Sequence, residues 1–314
     1  MRYVFGPMEG VTTSTFRRVH GALFPGCDGY YTPFISPTCD HRFTPRELRE
    51  VGPERNAGLA VIPQILVKNP EDFLWCAAGL ADMGYPEVNL NIGCPSATVT
   101  AKGKGAGLLR TPELLDALLE GIFSRSEIPV SVKTRIGYTS PEEFPALLAI
   151  YNRYPIHALI LHPRTRQEMY APGTVHPEAW EYALRESRAP LIYNGDLFTP
   201  GDAAAFAERY PAQETVMLCR GGAGDPALFR RLKGGPAADR EELRLFHDTL
   251  FAAYREDLGA LNGMRRMKEL WHYLISRFEG GERLVKKMAR TQDVNEYADI
   301  AGTILRELPM RTEA

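Results

Sequence analysis

The chain has 314 residues, 44% of them hydrophobic and 24% charged. That composition excludes disordered, collagen-like and low-complexity chains, and the length is enough to bury a large core without disulfide or metal staples. Lys and Arg number 37 against 39 Asp and Glu, a net charge of −2, so no global basic field marks a nucleic-acid binder, although a local basic face survives such averaging.

The five cysteines, Cys27, Cys39, Cys76, Cys94 and Cys219, are odd in number and have neither Cys-x-x-Cys nor zinc-ligand spacing. Reduced thiols in a cytoplasmic protein without a metal are therefore expected. The start, Met1–Gly6, runs into a short apolar segment instead of a signal peptide. No run of about 18 apolar residues occurs, so no transmembrane helix is expected.

Short apolar runs alternate with helical patterns, as in βα units around a parallel sheet. Strands are predicted at Tyr3–Gly6, Gly29–Ile35, Leu59–Ile65, Glu87–Asn91, Val130–Thr134, His157–Leu161, Pro190–Tyr193 and Thr215–Leu218. Between them, Asn69-Pro70-Glu71 opens a helix, Thr111 caps another before Pro112, and Ser140-Pro141-Glu142-Glu143 supplies a cap, a proline and an acidic first turn. Eight such repeats in about 230 residues predict a (β/α)8 TIM barrel and not an open doubly wound sheet. The pattern stops near Leu232, and Lys233-Gly234-Gly235-Pro236 reads as a linker. Beyond it only helical periods remain: Leu243, Phe246, Leu250; Met264, Met267, Leu270, Leu274; Leu284, Met288; Tyr297, Ile300, Leu305. The expected division is a catalytic barrel over 1–235 and a small all-helical domain over 236–314.

Barrel chemistry sits at the carboxyl ends of the strands. Here nearly every apolar run ends in polar residues: Pro7-Met8-Glu9-Gly10, Gln64, Asn91 to Pro95, Lys133 with Arg135, His162-Pro163-Arg164, Asn194-Gly195-Asp196 and Cys219-Arg220-Gly221-Gly222. One such ending is a cap or a turn; the set points to a binding site. Cys94, between Gly93 and Pro95 and followed by a Gly- and Lys-rich loop over 100–107, stands where a working thiol is expected. Lys133 among β-branched residues needs an anion to offset its burial. His162, with Arg164-Thr165-Arg166 after it, reads as a ligand contact. The loops after the last two strands lie at the usual phosphate position of barrels.

Gly6-Pro7-Met8-Glu9-Gly10-Val11-Thr12, Leu90 to Ser96, Val132-Lys133-Thr134-Arg135, His162 to Gln167, Asn194-Gly195-Asp196 and Met217 to Gly222, in this order, resemble the motifs of the dihydrouridine synthases, flavoenzymes that reduce uridine in tRNA. The resemblance spans the chain, helical C-terminal part included. It implies FMN held by Pro7, Met8, Glu9, Gln64, Lys133 and His162, with its phosphate end at Asn194, Gly195, Asp196, Cys219, Arg220 and Gly221. It further implies Cys94 as the general acid that protonates uracil C5 after hydride reaches C6, and Asn91, Arg135 and Arg164 as substrate contacts. NADPH is the implied reductant, and no obligatory protein partner is implied. A basic cluster of Arg265, Arg266, Lys268, Arg277, Arg283, Lys286, Lys287 and Arg290 is the expected RNA surface. This chain departs from the family in having Pro163 and Cys219 where Gly is common.

Two other readings share some of these features. Another FMN barrel, such as a dihydroorotate dehydrogenase or an ene-reductase acting on a free small molecule, would use the same phosphate loops; the basic helical region argues against it. An RNA-binding protein without catalysis is opposed by Cys94, Lys133 and His162 standing together.

Overall fold

The computed structural model describes residues 1–38 and 40–311, so Cys39 lies outside the described residues. Nine strands form one sheet: β1 Arg2–Phe5, β2 Gly29–Tyr31, β3 Val61–Ile62, β4 Gln64–Ile65, β5 Val88–Ile92, β6 Val130–Gly137, β7 Leu159–Thr165, β8 Leu191–Tyr193 and β9 Thr215–Leu218. The order is β3-β2-β1-β9-β8-β7-β6-β5-β4. The two end strands, β3 and β4, are halves of one segment broken at Pro63, which has no N–H for a ladder. The sheet therefore closes on itself through the chain, and the nine segments make the eight-stranded barrel that the repeats predict.

The strands are longer or shorter than expected for identifiable reasons. Reading a strand to its first polar residue stops β6 at Thr134 and β7 at Leu161, yet the ladders continue to Gly137 and Thr165. Arg135, His162 and Arg164 thus lie within strands, on the part of the β6–β7 ladder that runs past the β5 and β8 pairings. Between β6 and β7 the register advances from Arg135↔His162 to Gly137↔Thr165, so β7 has one extra residue. Pro163 sits at that bulge, where a missing N–H is tolerated and the family's glycine is not required. β2 ends at Tyr31 just before Thr32-Pro33, and Ile35 keeps only an isolated bridge to Ile65.

Helix starts follow local chemistry. Asn69 accepts from the Asp72 backbone ahead of Pro70–Asp82, and Ser140 forms a reciprocal capping box with Glu143. Thr111 occupies the cap position before Pro112–Phe123, but its side chain makes no capping bond. Its ψ of 82° departs from the extended cap geometry, and its own N–H closes the preceding turn on Leu108.

The chain divides into two compact units. The first comprises Met1–Pro7, Gly29–Asp196 and Ala212–Met217; the second comprises Met8–Asp28, Leu197–Pro211 and the chain from Leu218 onward. In the second unit the helices Arg240–Leu258, Ala260–Leu274, Glu282–Arg290 and Val294–Glu307 appear where the apolar periods place them. Leu243, Phe246, Leu250, Met264, Met267, Leu274, Met288 and Tyr297 are all buried there. Asp239 and Glu242 form the capping box that starts this run, directly after the Gly-Gly-Pro segment. Among the described residues no helix is long and apolar enough to cross a membrane.

Candidate active site

Strand alternation decides what the first unit turns to its interior. On β6 the residues Ser131, Lys133 and Arg135 share one face, and on β5 Asn89 and Asn91 do. Asn91 pairs with Lys133 in register, and Arg135 pairs with His162.

Cys94 follows β5 and is half-buried. Asn91 turns its carboxamide oxygen to the backbone N–H groups of Gly93 and Cys94, at 3.1 and 2.9 Å. On the other side Ala106 donates to the Cys94 carbonyl at 3.1 Å. Gly105 there has φ +55°, and a Cβ on it would stand 3.0 Å from both Cβ and O of Cys94. The glycine is required so that its loop can close against the thiol-bearing residue. Lys104, in the same loop, donates to the Ser36 hydroxyl at 2.9 Å, and burial lowers its pKa.

His162 is the chemically most informative residue. Its Nδ1 lies 2.5 Å from the Asn194 carbonyl. A carbonyl only accepts, so Nδ1 carries the hydrogen and Nε2 keeps a lone pair. That Nε2 is buried with no hydrogen-bond partner among the described residues. Burial, aided by the Arg135 and Lys133 cations, holds the imidazole pKa well below 6.5, so the ring is neutral. Asn194 in turn donates to the Met217 carbonyl at 2.9 Å. A Cβ on Gly195 would run into the end of the Tyr193 ring, so a side chain there would require that ring to move.

The two arginines expected at the substrate are committed to the protein. Arg135 donates through Nε to Gly93 O at 2.9 Å and through Nη1 to Thr165 O and Met169 O, both at 2.8 Å, with its guanidinium 5.0 Å from the Tyr170 ring centre. Arg164, with a wholly buried side chain, makes a two-pronged pair with Asp196 at 2.9 and 2.5 Å. It also donates to Thr174 Oγ1 at 2.8 Å and to Ala171 O at 2.9 Å. Both hold the β7 loop in place. Next to them, His176 bridges Glu168 at 2.7 Å and Glu178 at 2.8 Å.

In the second unit, Met8 and Thr12 close a tight turn: Met8 N–H donates to Thr12 Oγ1 at 2.9 Å, and Gly10 takes φ +81°. Cys219 has φ −125°, outside the left-handed region, so its side chain replaces the family's glycine without strain of that kind. A Cβ on Gly221 would approach Leu197 O to 2.5 Å, and the Arg220 guanidinium lies 5.2 Å over the Phe198 ring. Arg283, Lys286, Lys287, Arg290, Thr291 and Glu296 line a groove of about 400 Å³. Arg277, expected in the same basic cluster, is instead buried, with its guanidinium 3.7 Å from Asp225. A run of cations in sequence does not tell which side chain turns inward to a carboxylate.

Sequence reading passed over Asn89, Ser131 and the Glu168–His176–Glu178 cluster. The first two carry a usable signal: they stand two residues before Asn91 and Lys133, on the same strand faces.

A closed parallel barrel with a thiol just after β5, a cation on β6 and a neutral histidine on β7 is the layout of a barrel enzyme. The family follows from sequence: the dihydrouridine synthase model matches residues 4–301, and the chain belongs to that family. A probable tRNA-dihydrouridine synthase of Staphylococcus epidermidis is 29% identical over 322 residues, covering 99% of this chain and 96% of the relative. The tRNA-dihydrouridine(16) synthase of Pseudomonas putida is 30% identical over 262 residues, with 80% of this chain and 79% of the relative covered. Among solved structures, an old yellow enzyme homologue from Zymomonas mobilis aligns with a TM-score of 0.51 at 12% identity, over 76% of this chain and 90% of that one. Morphinone reductase aligns with a TM-score of 0.51 at 13% identity, over 76% and 87%. These two likenesses are of fold.

Proposed function

We propose that the chain reduces uridine to 5,6-dihydrouridine in tRNA, with FMN as its flavin and NADPH as the source of electrons. The observation that carries this reading is Cys94 at the end of β5, its backbone gripped by Asn91, in a chain of this family. Cytoplasmic location accords with Cys27, Cys76, Cys94 and Cys219 forming no disulfide among the described residues.

The first unit's residues fit the cofactor. Buried His162 Nε2 is an unpaired acceptor, and a ribityl hydroxyl is a group that donates to it. Gly195 leaves backbone bare under Tyr193, Lys133 supplies a cation, and Gln64 supplies an amide. In this reading Gln64, Lys133 and His162 hold the ring and ribityl chain, and Asn194, Gly195 and Asp196 its phosphate end. When bound, FMN supplies the hydride for uracil C6.

The protein's own part is proton delivery and placement. Cys94 gives the proton to C5; a thiol with an ordinary pKa near 8.5 is protonated at neutral pH and still able to donate. Asn91 orients the base, while Arg135 and Arg164 act through the backbone they hold. The residues over 236–314 form the RNA-binding region, with Arg265, Arg266, Lys286 and Lys287 meeting phosphates. A target uridine leaves its stack to be reduced, at a modest energetic cost.

Stopped-flow kinetics on Cys94→Ala tests the assignment. Flavin reduction by NADPH should be unchanged, while reoxidation by tRNA should slow by about 10²- to 10⁴-fold, the range for one general acid. Cys94→Ser should recover little, because a hydroxyl is a far weaker acid. Normal reoxidation in Cys94→Ala would move the proton donor to another group.

A further inference from the structure

Gln64, Asn89 and Ser131 stand side by side in register across β4, β5 and β6, and all three are fully buried. Asn91 lies two residues further along β5. Their side chains form a chain of hydrogen bonds: Asn91 Nδ2 to Gln64 Oε1 at 2.7 Å, Gln64 Nε2 to Asn89 Oδ1 at 2.7 Å, and Asn89 Nδ2 to Ser131 Oγ at 3.0 Å.

The direction of this chain is fixed by chemistry. Gly93 and Cys94 offer N–H groups, so Asn91 must turn its oxygen to them. Its NH2 is then left for Gln64, which must answer with oxygen. The Gln64 NH2 must in turn meet the Asn89 oxygen, and the Asn89 NH2 the Ser131 hydroxyl. Flipping Gln64 or Asn91 would set donor against donor at one end and acceptor against acceptor at the other, and flipping Asn89 would set its NH2 against that of Gln64, all at buried positions.

We propose that Asn89, anchored by Ser131, is a positioning residue that locks the amide orientations of Gln64 and Asn91 and, through Asn91, the backbone that carries Cys94. The proposal rests on reading Gln64 and Asn91 as cofactor and substrate contacts. Asn89 is itself fully buried, with its side chain bonded to Gln64 and Ser131. It acts by leaving Gln64 and Asn91 only one arrangement each, so the site is organised before anything binds.

Two substitutions separate orientation from packing. Asn89→Leu keeps the volume but gives Gln64 Nε2 no acceptor. Asn89→Asp keeps an acceptor toward Gln64 in either protonation state, and Ser131 can donate to it or accept from it. Two readouts apply to each full-length variant: alkylation of Cys94 by iodoacetamide in the apoprotein, followed by peptide mass spectrometry, and FMN affinity by fluorescence quenching. Asn89→Leu should change the Cys94 rate at least fivefold and weaken FMN at least tenfold, with Asn89→Asp within twofold of wild type on both. Should the leucine variant not fold, Asn89→Ala takes its place with the same expectations. Both readouts within twofold of wild type in the leucine or alanine variant overturn the proposal, as does equal damage in the aspartate variant. If the wild type takes up no FMN, the cofactor reading falls, and the alkylation arm still decides the relay.

Discussion

The hydrogen bond from His162 Nδ1 to the Asn194 carbonyl, 2.5 Å long, fixes which imidazole nitrogen faces inward without a proton. A buried lone pair with no partner is a standing cost to the fold, of the kind that persists where a ligand completes it.

His162→Asn should expose this division of labour. The shorter amide keeps a donor for the Asn194 carbonyl and removes the atom at the Nε2 position. Apoprotein melting temperature should hold or rise, while FMN affinity falls about fivefold, the loss of roughly 1 kcal/mol for one hydrogen bond. A parallel drop in stability and affinity would mean that the ring serves packing alone.

The Arg164–Asp196 pair predicts an asymmetry. Arg164 has no side-chain exposure, whereas Asp196 keeps 23%. Asp196→Ala strands a buried guanidinium and should destabilise the protein by about 3 kcal/mol, in the range for breaking such a pair. Arg164→Met leaves a carboxylate that water can reach, so the loss should be smaller. Denaturant unfolding of the two variants, without cofactor, measures both. Equal losses would show that the burial difference is irrelevant.

These pairings mark the limit of what the sequence discloses. The barrel and its polar strand ends were legible because each apolar run is short and most give way to polar residues, Gly or Pro. The partner of a polar side chain was not. Arg164 reads as a free cation beside Arg166, and only the β7 bulge and the β8 loop bring Asp196 to it. Arg277 likewise reads as part of a basic surface until the fold sets it beside Asp225. Asn89 and Ser131 were hidden for a different reason: in a strand taken as an apolar run, inward amides look like interruptions, yet they satisfy one another across neighbouring strands.

A pH dependence follows from His176. Burial opposes its protonation, but hydrogen bonds to Glu168 and Glu178 outweigh burial and raise its pKa above 6.5, and Glu168 is correspondingly lowered. A raised histidine pKa stabilises the fold fully below the unfolded value of about 6.5 and is lost as pH rises through the folded value. The wild type should therefore melt higher than His176→Gln near pH 6, with the gap closing above neutrality. The loop concerned carries Met169, whose carbonyl accepts from Arg135. A gap that is constant from pH 5.5 to 8.5 would assign the effect to packing.

The basic groove of the C-terminal helices makes its own demand on salt dependence. Lys287 is already paired with Glu296 at 3.1 Å, whereas Lys286, on the same groove, makes no ion pair among the described residues. A lysine that neutralises one phosphate releases about 0.7 to 0.9 counterions, so Lys286→Ala should flatten the plot of log affinity for tRNA against log salt by about that much. Lys287→Ala should flatten it less, because part of that charge is spent on Glu296. Glu296→Gln should do the opposite, freeing Lys287 and removing a like charge from the phosphate's path, so binding tightens and the slope steepens. Filter binding across a salt series, with flavin content checked in each variant, gives all three slopes. Three slopes equal to that of the wild type would show that RNA does not use this groove, whatever the chain's activity on tRNA.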